Sequence, residues 1–290
     1  QWSPEVSWKV KAGLKHINPE AMAPGYRGDI NLDLLSDGSM QGDSLQARVI
    51  LERLAGSLLD QPLAGQGEIG YAPDRTAVQR LSIKVVDAEL AADGSVGAQS
   101  DLKWSLRVPQ LGHLLAGATG ELFSDGRITG PQQAPRVVGQ LRAGGLAYGT
   151  MGVDRLDADI DLDLGDSQRS NAAVHGAELR LGEEVVERLA LAFDGFIAKH
   201  RLEFSADHPQ ARLQLRMAGG YDGAQWSGLL QALDLASGPL GDWRLQRPVQ
   251  LAFGPERAQA GLLCLLRADA HLCAEGEWQA AGAAKGRFDL

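Results

Sequence analysis

With 28 Lys+Arg against 37 Asp+Glu over 290 residues, the chain carries a net charge of −9 and no basic block. That excludes the electrostatic footprint of a nucleic-acid or anionic-bilayer binder, and no run approaches the roughly 18 apolar residues of a membrane-spanning helix. Glycine is abundant, 36 residues or about 12% against a usual 7% or so, while aromatics are 6%. Beginning QWSPEV, with neither an initiator Met nor a signal peptide, the sequence is expected to be part of a longer or processed chain.

The elements are read from period-2 alternation, which in a strand sends successive side chains to opposite faces. VSWKV at 6–10 and DINLDL at 29–34 open the series. The stretch 43–59 (DSLQARVILERLAGSLL) fits a helix or a strand, and strands broken near Gly56 are preferred. GQGEIG at 65–70 spells G-x-G-x-x-G, but Tyr71, Ala72, Pro73 and Asp74 follow it and no helix can start there. It is read as a hairpin. DLKWSLRV at 101–108 sets Leu102, Trp104, Leu106 and Val108 on one face; VPQLGHLLAG at 108–117 is the one helical candidate, a short turn from Pro109 packing Leu111, Leu114 and Leu115.

RLDADIDLDL at 155–164 sets Leu156, Ala158, Ile160, Leu162 and Leu164 against Arg155 and a row of aspartates, read as a solvated face. RLEFSA at 201–206 offers Leu202 and Phe204, and ARLQLRM at 211–217 offers Leu213, Leu215 and Met217. Asp-Gly at 37–38, 93–94, 125–126, 194–195 and 222–223 is expected to make hairpin turns between antiparallel neighbours. Pro131, Pro135, Pro209, Pro239 and Pro255 sit at turn-like places. The fold class expected is all-β, one continuous repetitive domain over 1–290 without a linker.

Catalytic patterns are missing: there is no G-x-S-x-G and no H-E-x-x-H. His200 and Glu203 fall on opposite faces of their strand, so the cluster His200, Glu203, Asp207 and His208 does not converge on a metal. No enzyme activity, cofactor or metal is expected. Pattern alone leaves two fates for the apolar faces: a closed two-sheet sandwich or an open groove.

Residues 102–164 resemble the TamB family of the translocation and assembly module of Gram-negative bacteria. The resemblance runs through a strand, a P-x-L-x-x-L turn, a G-x-L…G-x-I-x-G pair, an AP-x-x-x-G-x-L-x-A-x-G-L-x-Y element and V-x-x-L-x-A-D-I-D-L. The segment LLCLLRADAHLCAEGEWQA at 262–280 resembles the family's Cys…Cys-x-x-G-x-W piece. The resemblance implies an interior segment of a long chain. Its fold would be an elongated, rolled antiparallel sheet open on one side, a β-taco or solenoid with a hydrophobic concave face. It further implies a periplasmic location with the parent chain anchored in the inner membrane, the outer-membrane barrel partner TamA, outer-membrane protein clients and phospholipid as partners. The lining would then comprise Leu102, Trp104, Leu106, Leu156, Ile160, Leu162, Leu164, Leu202, Phe204, Leu213, Leu215 and Met217. The oxidising compartment would favour a hairpin disulfide between Cys264 and Cys273, the alternative being two buried thiols. A competing role is a scaffold with a closed core, whose strand edges pair with client proteins.

Overall fold

A computed structural model describes residues 5–238, 240–268, 270–280 and 284–289. The described residues are all-β: a twenty-stranded antiparallel sheet with two 3-10 turns and no α-helix. The chain divides at Gly149/Thr150 into two compact units. The first holds β1 (Glu5–Ile17), β2 (Gly28–Gln41), β3 (Ser44–Leu58), β4 (Gln61–Ala72), β5 (Arg75–Val85), β6 (Ala88–Gly97), β7 (Ser100–Val108), β8 (Ala118–Gly130) and β9 (Arg136–Tyr148). The second holds β10 (Met151–Asp163), β11 (Ser170–Leu181), β12 (Glu184–Phe196), β13 (Lys199–His208), β14 (Ala211–Tyr221), β15 (Trp226–Ser237), β16 (Trp243–Leu245), β17 (Val249–Phe253), β18 (Arg257–Arg267), β19 (Ala270–Gln279) and β20 (Ala284–Asp289). Within each unit the strands pair with chain neighbours, except that β15 pairs with both β16 and β17, and both of these pair with β18. Among the described residues β1 pairs only with β2 and β20 only with β19, so the sheet is not closed into a barrel.

In the first unit a line of bulges crosses successive strands. The register shifts at Leu14/Ile17, Asp33/Leu34, Leu51/Leu54, Gln66/Glu68 and Val78/Leu81. A bulge bends its strand and sharpens the local twist, so a row of them forms a crease across the sheet. The freed amides are satisfied by the next strand: the His16 N–H (φ 56°) donates to Asn31 Oδ1 at 3.2 Å and the Arg80 N–H (φ 49°) to Asp93 Oδ2 at 2.9 Å. This corrects the reading of 43–59, where β3 runs unbroken through Gly56 and the interruption is the bulge at Leu51/Leu54.

Asp-Gly also needs correcting, since only 222–223 lies in a turn. The other four dipeptides lie inside β2, β6, β8 and β12. Gly94 (φ 130°) closes on the Asp101 carbonyl, and Gly38 and Gly126 lie beneath Trp8 and Trp104, where no Cβ fits. GQGEIG is likewise strand interior, its Gly65 covered by Leu54. The helical candidate is a single 3-10 turn, Leu111–His113. Pro131, Pro135, Pro209 and Pro255 fall between strands, and Pro239 lies outside the described residues.

Turns bond to turns along the strand ends. Leu59 N–H donates to the Arg27 carbonyl (2.8 Å), Val86 N–H to Pro62 (2.9 Å), Ala98 N–H to Asp74 (2.9 Å) and Tyr221 N–H to Ile197 (2.9 Å). The loop after β10 is organised by Asp163, which is only 4% exposed. Its carboxylate accepts from Ser167 Oγ (2.6 Å), Gln168 N (2.6 Å) and Gly165 N (3.1 Å). Asp163 is therefore structural, a correction to the solvated row of aspartates.

The well-buried apolar side chains are few, and most lie near strand ends. In the first unit they are Leu63, Val85, Ala88, Val108, Ala118 and Ala143; in the second Val153, Leu230, Val249 and Cys264. No phenylalanine or tryptophan is among them. Two compact globules of half the chain's 30.9 kDa would together expose about 14,000 Å²; this chain exposes 18214 Å². The excess fits strands that all belong to one sheet, with no separate second sheet among the described residues.

Candidate functional site: an uncharged sheet face

The register joins apolar side chains into rows running across the strands. In the second unit, Ile160, Ala172, Phe193, Leu202, Met217 and Leu230 form one row from β10 to β15. Beside it run Ala158–Val174–Leu191–Phe204–Leu215–Leu233 and Leu156–Gly176–Leu189–Ala206–Leu213–Leu235. Leu156, Ile160, Leu202, Phe204, Leu213, Leu215 and Met217 thus come together on one face. Leu162 continues it, half-buried, towards the end of β10. Leu164 lies beyond the last residue of β10 and is 48% exposed, outside the alternation.

The first unit repeats the arrangement over nine strands. One row is Leu14–Leu32–Leu54–Gly65–Ile83–Leu90–Leu106–Ser124–Leu141, another Val10–Ser36–Val49–Ile69–Val78–Gly94–Leu102–Ile128–Val137. Leu102, Trp104 and Leu106 share this face. None of these rows contains a charged residue. In the second unit most of their side chains are half-buried, from Leu230 at 4% exposed to Leu191 at 37%. Alternation alone missed Leu54, Leu81 and Leu14 as members. The signal was there as apolar spacings of three, Leu51 to Leu54 and Val78 to Leu81, each marking a bulge.

The opposite face is charged and paired. Asp207 accepts from Arg188 Nε (2.9 Å) and Arg212 Nε (2.7 Å), Arg169 pairs with Asp194, and Asp101 holds both Arg127 nitrogens (2.6 and 2.5 Å). The hydrogen bonds from Arg212, Arg169 and Arg127 hold these three aspartates below the usual carboxylate range. The nearly buried Glu68 is held low in the same way by Arg48, which grips it at 2.6 and 2.9 Å. Exposed pairs of this kind add little stability each; they keep one face wetted while the other stays bare of charge. A hollow of about 330 Å³ on this outer side is floored by Ala173, Ala190, Ala192 and Ala232.

Polar groups on the apolar face are paired with indoles. Trp8 Nε1 donates to Ser36 Oγ (3.1 Å), Trp104 Nε1 to Ser124 Oγ (3.3 Å) and Trp226 Nε1 to His200 Nε2 (2.9 Å). His200, 7% exposed, sits in a run of rings with Phe193, Trp226 and Phe253. Glu203 falls on the other face, so the two share no ligand. Cys264 and Cys273 stand directly opposite on β18 and β19, Cα atoms 4.1 Å apart, joined as a disulfide.

A family model described as "TamB, N-terminal domain" matches residues 1–290. The chain belongs to the TamB family. No solved structure matches it significantly. TamB proteins act in the translocation and assembly module that contains TamA, belong to the bacterial envelope, and are not a known enzyme family. Among the described residues of this TamB chain no helix is long and apolar enough to cross a membrane.

Proposed function

We propose that the uncharged face is a trough for phospholipid acyl chains in the periplasm, by which this TamB segment shields lipid passing between the inner and outer membranes. The observation that carries the reading is the set of charge-free rows, mostly half-open, with no separate second sheet among the described residues. Removing a methylene from water is worth about 0.8 kcal/mol, so two chains of about 15 carbons resist crossing an aqueous gap by more than roughly 20 kcal/mol. A continuous apolar trough lowers that barrier while the headgroup stays wet. No converging polar groups mark a pocket for one small ligand, which suits a lining that accepts hydrocarbon of any length.

The test is organic extraction and mass spectrometry of the purified protein, with photoreactive residues at Ile160 and Phe204 and controls at Asp159 and Glu203. Phospholipid adducts at the first pair and not the second are expected. Absence of bound phospholipid, or equal labelling of both faces, overturns the reading. A second reading, strand-edge pairing with TamA or with outer-membrane clients, is favoured by β1, a 13-residue strand that among the described residues pairs only with β2. Protein-only adducts would select it.

A further inference from the structure

The rows named above contain two polar residues, Ser36 and Ser124, and His200 stands beside the rows of the second unit on the same face. Each accepts the N–H of a tryptophan that also lies on that face. Because Trp226 donates to Nε2 of His200, the other ring nitrogen carries the proton; Nδ1 donates to the Phe196 and Ile197 carbonyls, 3.0 Å from each. None of the three indoles has a donor left for a ligand.

Each ring also lies against the backbone of glycines. Trp8 covers Gly38; Trp104 covers Gly126 and reaches Gly139, where a Cβ would sit 3.1 Å from its Cζ2; Trp226 covers Gly219 and Gly228, with corresponding distances of 2.6 Å to Cζ2 and 2.8 Å to Cη2. Ser36-Asp37-Gly38 facing Trp8 and Ser124-Asp125-Gly126 facing Trp104 are the same device used twice: glycine makes room for the ring and serine, two residues earlier, accepts the hydrogen bond from its N–H. All three rings are half-buried, so part of each is left open.

At a lipid–water boundary a tryptophan keeps its N–H at the polar level and its body among the chains. Here the N–H is turned into the sheet, and no charged side chain occupies the rows beside it. Complementarity of charge then selects an occupant with none. We infer that Trp8, Trp104 and Trp226 are acyl-chain contact points that touch lipid tails and never headgroups. The inference rests on the trough reading above and specifies where in it the hydrocarbon lies.

The test uses the protein loaded with phosphatidylcholine brominated on its acyl chains or, separately, carrying a nitroxide on its headgroup, with bound lipid counted by mass spectrometry. Acyl bromines are expected to quench tryptophan emission at least twofold more than the headgroup nitroxide. The combined variant Trp8→Phe, Trp104→Phe, Trp226→Phe, checked for an unchanged β circular dichroism spectrum and compared with the parent per mole of lipid bound, should lose the quenchable emission. Bound lipid with no acyl quenching, stronger headgroup quenching, or quenching that survives in the variant overturns the inference and leaves the trough standing. Failure to bind either lipid removes both.

Discussion

Each of the two units presents an uncharged face, and the two reach it by different routes. From β10 to β14 the register runs without a shift, and the apolar rows follow strict alternation. In the first unit every pairing from β1–β2 to β5–β6 contains a shift. The same rows survive because each bulge absorbs the extra residue, as at Glu52-Arg53 between Leu51 and Leu54. A sheet face can therefore be conserved in space while its sequence period changes; the bulged unit also gains a crease, which the regular strands β10–β14 do without.

The sharpest way to break the creased unit is Gly94→Val, which adds a β-branched side chain at φ 130° against the Asp101 carbonyl. A loss of more than about 3 kcal/mol is expected in urea unfolding. In the second unit, replacing both Cys264 and Cys273 by Ser opens a loop of nine residues' separation and should cost about 2.5 kcal/mol. Asp163→Asn replaces one of the two accepting oxygens with an NH2 donor that faces a backbone N–H, so the loop after β10 loses part of its anchoring, at a cost of about 2 kcal/mol near neutral pH. The hydrogen bond from Ser167, and then those from the Gln168 and Gly165 amides, hold its carboxyl below the usual range. Its contribution is full above the unfolded value of about 3.9 and is lost as pH falls through the lower folded value. The gap between parent and variant should accordingly close in acid titrations below about pH 4. The smallest change in stability is expected from Ile160→Asp, about 1 kcal/mol, because its row is half-open. Bound phospholipid should fall at least tenfold. A loss above about 3 kcal/mol would mean that the row is sealed.

The regular strands were legible because their side chains face either water or the apolar side with little exception, as in Leu202, Phe204, Leu213 and Leu215. The bulged strands were not, since an apolar pair three apart, such as Leu51 and Leu54, reads equally as one helical turn. Asp-Gly misled for a different reason. In β2 and β8 the glycine makes room for a ring from the neighbouring strand, and in β6 Asp93 caps a bulge amide; both are long-range needs that a dipeptide cannot announce. Asp163 looked like its neighbours in RLDADIDLDL, and only the loop folding back on it separates a structural carboxylate from a solvated one.

Within each unit nearly every strand lies beside the strands that precede and follow it in the chain, and successive turns clasp one another. Such an order lets the polypeptide zip up hairpin by hairpin as it is delivered end-first, with no distant segment to wait for. It also means that the growing front is always the newest strand, so stalling leaves a sticky margin rather than a tangled interior.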